Sequence, residues 1–111
     1  MTISHDEPRL DGILQALANQ KRRVMIHDLS LQPSTVGILA RRHNLSLPAI
    51  HKHIRVLEDA KLILRKKAGR TNFVALNVPT LGLAKSWIDQ YDTHWGSVEA
   101  TLENYISSLR E

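Results

Sequence analysis

His51, Lys52 and Arg55 stand within five residues of one another, with Ile50, Ile54 and Leu57 set among them. At about 100° per residue, the three apolar side chains share one side of a helix. The cations, with Pro48 and Asp59, fall on the other side. An imidazole, an ammonium and a guanidinium on one outward stripe are hydrogen-bond donors for guanine acceptors and counter-charges for phosphate. No comparable set supports bond-making chemistry. The 111 residues hold no cysteine, which removes disulfides, thiolate nucleophiles, thiolate zinc sites and thiol redox sensing. No Gly-x-Ser-x-Gly elbow, phosphate loop or Gly-rich dinucleotide fingerprint occurs. The chain therefore reads as a binding protein, not an enzyme, and no cofactor is expected.

The remaining histidines do not assemble a metal site. His51 and His53 are two apart on a helix and point away from each other. Asp92 and His94 would need one or two further donors to make up a ligand set of three or four. No metal ligands are expected. His53 reads as a packed structural histidine, and His5, His27 and His43 carry no signal.

The elements that must carry the stripe follow from periodicity. Leu10, Ile13, Leu14 and Leu17 predict a first helix over 8–18, with Pro8 suited to its first turn. Val24, Met25 and Leu29 predict a second over 21–29. Ser34 or Thr35 can cap a short third helix, 36–42, closed by Asn44. Ser46 caps a fourth, with Pro48 in its first turn, to about Ala60. Leu62–Leu64 and Phe73–Leu76 read as two strands joined by a turn containing Gly69. Between Leu81 and Leu109 the apolar residues Ala84, Ile88, Tyr91, Trp95, Val98, Leu102 and Tyr105 recur in steps of three and four. That heptad seam belongs to a helix packed along another helix. A 30-residue helix would span about 45 Å, more than so small a domain covers, so self-association is expected. Gly96 is the point where it would kink or split.

Charge supports two unlike surfaces. The net +4 divides into 13 Lys/Arg against 6 Asp/Glu in residues 1–78, and 2 against 5 in residues 79–111. A basic region followed by an acidic tail fits one part facing a polyanion and another part not. The N-terminus lacks a secretory signal and no apolar run reaches a membrane-spanning length, so a cytoplasmic protein without membrane association is expected. One domain, 1–111, is expected. Within it, 8–78 would form a DNA-binding core and 79–111 a dimerisation helix.

Residues 36–55 carry helix-turn-helix spacing: Leu39 and Leu45 as apolar contacts, small Ala40 at the crossing, Asn44 in the turn and Ile50 as the returning anchor. With the cationic stripe outside, the fourth helix suits the major groove of double-stranded DNA. Its expected contacts are Ser46, Leu47, Pro48, Ala49, His51, Lys52 and Arg55, with Leu47 and Ala49 short enough to meet a thymine methyl. Thr35 joins them from the start of the third helix. The basic hairpin adds Arg65, Lys66, Lys67 and Arg70 as backbone or minor-groove contacts.

These segments resemble the ArsR/SmtB-type winged-helix repressors. Ala16-Leu17-Ala18-Asn19 with Arg22 is similar to the family's opening signature, and Thr35–Ala40 to its third helix. Ile50-His51-Lys52-His53-Ile54, continuing through Leu57, Ala60, Leu62 and Ile63, resembles its recognition segment. Gly69-Arg70 and Phe73–Asn77 resemble its wing. The final helix resembles the branch without metal ligands. The chain departs from the pattern at His51, where the family usually has Ser, and at Lys61, where it usually has the Gly that ends the recognition helix.

The resemblance implies a mainly α winged helix-turn-helix with a two-stranded β-wing, in the order four helices, two strands, one helix. It also implies a homodimer joined through the first and last helices and reading an inverted repeat. The dimer contacts would be Leu10, Ile13, Leu14, Ile88, Tyr91, Trp95, Val98, Leu102, Tyr105 and Leu109. No residue pattern identifies a small-molecule effector. Two other readings share these residues: a winged-helix scaffold binding a partner protein through its last helix, and a metal-responsive repressor using histidines.

Overall fold

A computed structural model describes residues 7–91 and 96–110. The element order is α1 (Glu7–Leu17), α2 (Gln20–Leu31), β1 (Ser34–Thr35), α3 (Val36–Arg42), α4 (Leu47–Asp59), β2 (Ile63–Ala68), β3 (Thr71–Leu76), α5 (Val78–Asp89) and α6 (Val98–Leu109). The wing is therefore the main part of a three-stranded antiparallel sheet, ordered β1-β3-β2, and not a two-stranded hairpin alone. Ser34 pairs with Val74 and Thr35 with Phe73, which joins the start of α3 to the wing.

Helices α2, α3 and α4 each begin where a side chain accepts an unpaired backbone N–H. Asn19 Oδ1 accepts from Arg22 N, Thr35 Oγ1 from Ile38 N and Ser46 Oγ from Ala49 N. The ends of α3 and α4 share one solution. Leu45 N donates to Ala40 O at 2.9 Å and Asn44 N to Arg41 O at 3.2 Å; Leu62 N donates to Leu57 O at 3.0 Å and Lys61 N to Glu58 O at 2.9 Å. This double pattern is the Schellman closure, which needs a left-handed residue after the cap. Asn44 (φ 54) and Lys61 (φ 64) fill that place. The first is a tolerant residue, while the second is a long side chain where glycine would be unstrained.

The core sits between the helices and the inner sheet face. Ile13, Met25, Leu39, Ile50, Ile54, Leu57, Leu62, Ile63 and Val74 are fully buried there. Val24, expected to face inward, is 43% exposed. Met25 and Leu29 are the buried residues of α2, with Ile26 partly buried against the core.

The C-terminal segment differs most from expectation. The seam does not run along one 30-residue helix: α5 ends at Asp89, and α6 begins anew at Val98. Gly96 has φ +86, which a right-handed helix cannot continue through, and Ser97 accepts from Ala100 N as a fresh N-cap. Trp95 and the Asp92/His94 pair lie outside the described residues. Helix α5 packs against α1 and buries Thr80 and Ala84, whereas α6 has no fully buried residue.

Candidate nucleic-acid interface

The recognition surface is built from α4 outward. Ile50, Ile54 and Leu57 are fully buried, so the opposite stripe is held outward by the same helix. His51, Lys52 and Arg55 are exposed on it, and with Pro48 and Val56 they line a shallow open concavity. Val56, 38% exposed, was not among the expected contacts; its place on the stripe follows from Lys52, four residues earlier. Leu47 is 57% exposed at the N-terminal end and Ala49 half-buried. The hydroxyl oxygens of Thr35 and Ser46 each accept one cap hydrogen bond, and among the described residues neither O–H donates.

Contacts far apart in sequence fix how α4 is held. Arg22 donates from Nε to Ala16 O at 2.7 Å and from Nη2 to Gln15 O at 3.2 Å, which satisfies the last turn of α1. Its Nη1 lies 3.5 Å from His53 Nδ1 on α4. One side chain thus ties α1, α2 and α4. The His53 pKa is held below its ordinary value, first by burial and then by the nearby cationic Arg22 and Lys21 and by His43. His53 is therefore a structural histidine, as its position on the helix suggested.

His43, which showed no signal in the sequence, closes α3 and donates through Nε2 to Asp28 Oδ2 at 2.9 Å, with Arg42 at 3.9 Å from the same oxygen. Both His43 and Asp28 side chains are mostly buried, at 9% and 15% exposed, so the pair staples α2 to the helix-turn-helix turn. Asn77 donates to Lys61 O at 2.9 Å and to Thr80 Oγ1 at 3.0 Å, which joins the end of α4 to the start of α5. Apart from Asn77 with Thr80 at the start of α5, none of these pairs falls within one periodic segment, so only chain folding reveals them.

The wing places its cations unequally. The two-residue loop Gly69-Arg70 between paired Ala68 and Thr71, with Gly69 at φ +62, is a type II′ hairpin turn and sets Arg70 at the tip. Lys66, Lys67 and Arg70 are exposed and, among the described residues, have no acidic partner. Arg65 instead forms a two-pronged ion pair with Glu58 of α4.

The expected dimer contacts also divide. Leu10 and Ile13 are 7% and 0% exposed, packed into the protomer's own core, so they have no surface to offer a second chain. Leu14, Ile88, Tyr91, Val98, Leu102, Tyr105 and Leu109 are exposed. Trp87 and Tyr91 meet edge to face at 5.2 Å on the same side. Among the described residues no group of three His, Asp or Glu could hold a metal, and no helix is long and apolar enough to cross a membrane.

A helix-turn-helix with a cationic outer face, flanked by a basic hairpin, defines a winged-helix DNA-binding domain. No protein-family model matches the chain. It is 34% identical over 83 residues to the HTH-type transcriptional regulator Rv2034 of Mycobacterium tuberculosis, covering 75% of this chain and 78% of that protein. The Bacillus subtilis transcriptional repressor SdpR is 25% identical over 79 residues, 71% of this chain and 88% of its own length. Among solved structures, the ArsR family transcriptional regulator RHA00566 superposes with a TM-score of 0.76 at 34% identity, over 86% of this chain and 98% of that one. The chain belongs to the ArsR family of transcriptional regulators, and is a DNA-binding regulator and not an enzyme.

Proposed function

We propose that this protein is a transcriptional repressor that binds an inverted repeat in double-stranded DNA as a homodimer. The observation that carries the reading is the outward stripe of α4: His51, Lys52 and Arg55 are exposed directly opposite a fully buried anchor of Ile50, Ile54 and Leu57. In the major groove Lys52 and Arg55 reach guanine acceptors, while Leu47, Pro48, Ala49 and Val56 supply apolar contact. Thr35, Ser46, Lys66, Lys67 and Arg70 hold the phosphate backbone. Repression is supported by the name of the relative SdpR.

Residues 8–78 form the DNA-binding core and 79–111 the dimerising segment. The exposed apolar face of α6 supports that division, since a second copy would cover it. Selection from a randomised duplex pool should enrich a two-fold symmetric site. Lys52→Ala and Arg55→Ala should each lower affinity for that site by roughly 5- to 150-fold, the range of one good base contact, with melting temperature unchanged. Unchanged affinity in both variants would overturn the assignment of α4. Light scattering should give twice the chain mass, and a monomer would overturn the dimer.

A further inference from the structure

Arg65, Lys66 and Lys67 follow one another along β2, yet they do not share an environment. The register sets Arg65 opposite Val74, on the sheet face that also carries buried Ile63. From there its guanidinium reaches back over α4. Arg65 Nη2 donates to Glu58 Oε1 at 2.9 Å and Nε to Glu58 Oε2 at 3.2 Å. Each side chain is 32% exposed. A two-pronged guanidinium–carboxylate pair fixes orientation as well as distance. It also cancels charge: an arginine already matched to a carboxylate adds little to the release of counterions from DNA.

Glu58 is the unexpected member. A carboxylate on the helix that faces a polyanion opposes binding through its charge, so its presence calls for a compensating role. The fork supplies one, because it joins the end of the recognition helix to the base of the wing. It therefore sets the angle at which Lys66, Lys67 and Arg70 meet the backbone while α4 lies in the groove.

We propose that Glu58 and Arg65 are positioning residues, a clamp between recognition helix and wing that touches no phosphate and sharpens discrimination between DNA sequences. The proposal rests on the DNA-binding reading above. It is tested on the full chain by fluorescence anisotropy over a range of salt concentrations. The probes are the duplex enriched from a randomised pool and a scrambled duplex of the same composition.

Glu58→Gln removes a negative charge, so binding to the scrambled duplex should hold or tighten. The ratio of specific to scrambled affinity should nevertheless fall about fivefold, the upper scale for a partly exposed pair. The charge swap, Glu58→Arg with Arg65→Glu, should bring that ratio back to within about twofold. The neutral double variant, Glu58→Gln with Arg65→Gln, should keep the wild-type salt slope, while Lys66→Gln should lower it by about 0.9. An unchanged ratio in Glu58→Gln, a swap that leaves it low, or a double variant whose slope falls as Lys66→Gln does would each overturn the clamp. If the wild type enriches no sequence at all, the DNA-binding reading falls and the clamp falls with it. Melting curves confirm that each variant is folded before its affinity is compared.

Discussion

Helices α4 and α6 are both amphipathic, and the two treat their apolar faces in opposite ways. Ile50, Ile54 and Leu57 of α4 are fully buried by other elements of the same chain. On α6, Val98, Leu102, Tyr105, Ile106 and Leu109 are all exposed, from 39% to 74%. An apolar stripe at helical spacing thus states that a surface must be covered, without stating by what. The winged helix closes its own core and can present a polar outer face. The C-terminal helix leaves its apolar face uncovered within the protomer, on an acidic segment that takes no part in the basic surface.

The contrast breaks most sharply if the two faces are cut in turn. Ile54→Ala should cost about 2–5 kcal/mol of stability by opening a cavity in the protomer core, measured by denaturant unfolding at any protein concentration. Leu102→Glu should leave the protomer's circular dichroism intact. It should weaken self-association by about 100-fold or more, since two copies of a buried leucine are lost per dimer, and sedimentation would show the mass halved. A Leu102→Glu protein that unfolds instead would place α6 in the core, against its exposure.

Smaller effects sharpen how α4 is held. Lys61→Gly should stabilise by about 1 kcal/mol, because a side chain is removed from a left-handed position; a loss of stability would mean that the Lys61 side chain itself supports the fold. The weakest effect concerns pH. The His53 pKa lies below its ordinary value of about 6.5 in the folded protein. As pH falls below that value, the unfolded chain takes up a proton that the folded one refuses, so stability falls until the folded pKa is passed. The denaturation midpoint should therefore drop between about pH 7.5 and 5.5 more steeply in wild type than in His53→Gln. Equal slopes would remove His53 from the balance.

Much of the site was legible because it is local. Thr35 and Ser46 were readable as caps, Asn44 as a turn former, and the cationic stripe of α4 from the spacing of Ile50, Ile54 and Leu57. The wing's turn was readable from Gly69. Strand β1 was not, since two residues cannot show an alternation, and Ser34-Thr35 became a strand only by meeting Val74 and Phe73. The break in the last helix had its signal in Gly96-Ser97, but the heptad pattern runs across it without interruption. The resemblance assigned Leu10 and Ile13 to a partner, whereas the protomer's own core buries them, and periodicity does not distinguish the two kinds of surface.

The sequence by itself determined helices α1 to α4, the outward placement of His51, Lys52 and Arg55, and the family. These depend on backbone periods and on residue types within a few positions. Only the tertiary structure decided which polar groups meet: Arg22 with His53, Asp28 with His43, Asn77 with Lys61, and Glu58 with Arg65. Partners 7 to 31 residues apart are brought together by packing of the core, which orients each helix and strand as a body. No local pattern encodes that orientation, because it is the collective result of burying the apolar faces together.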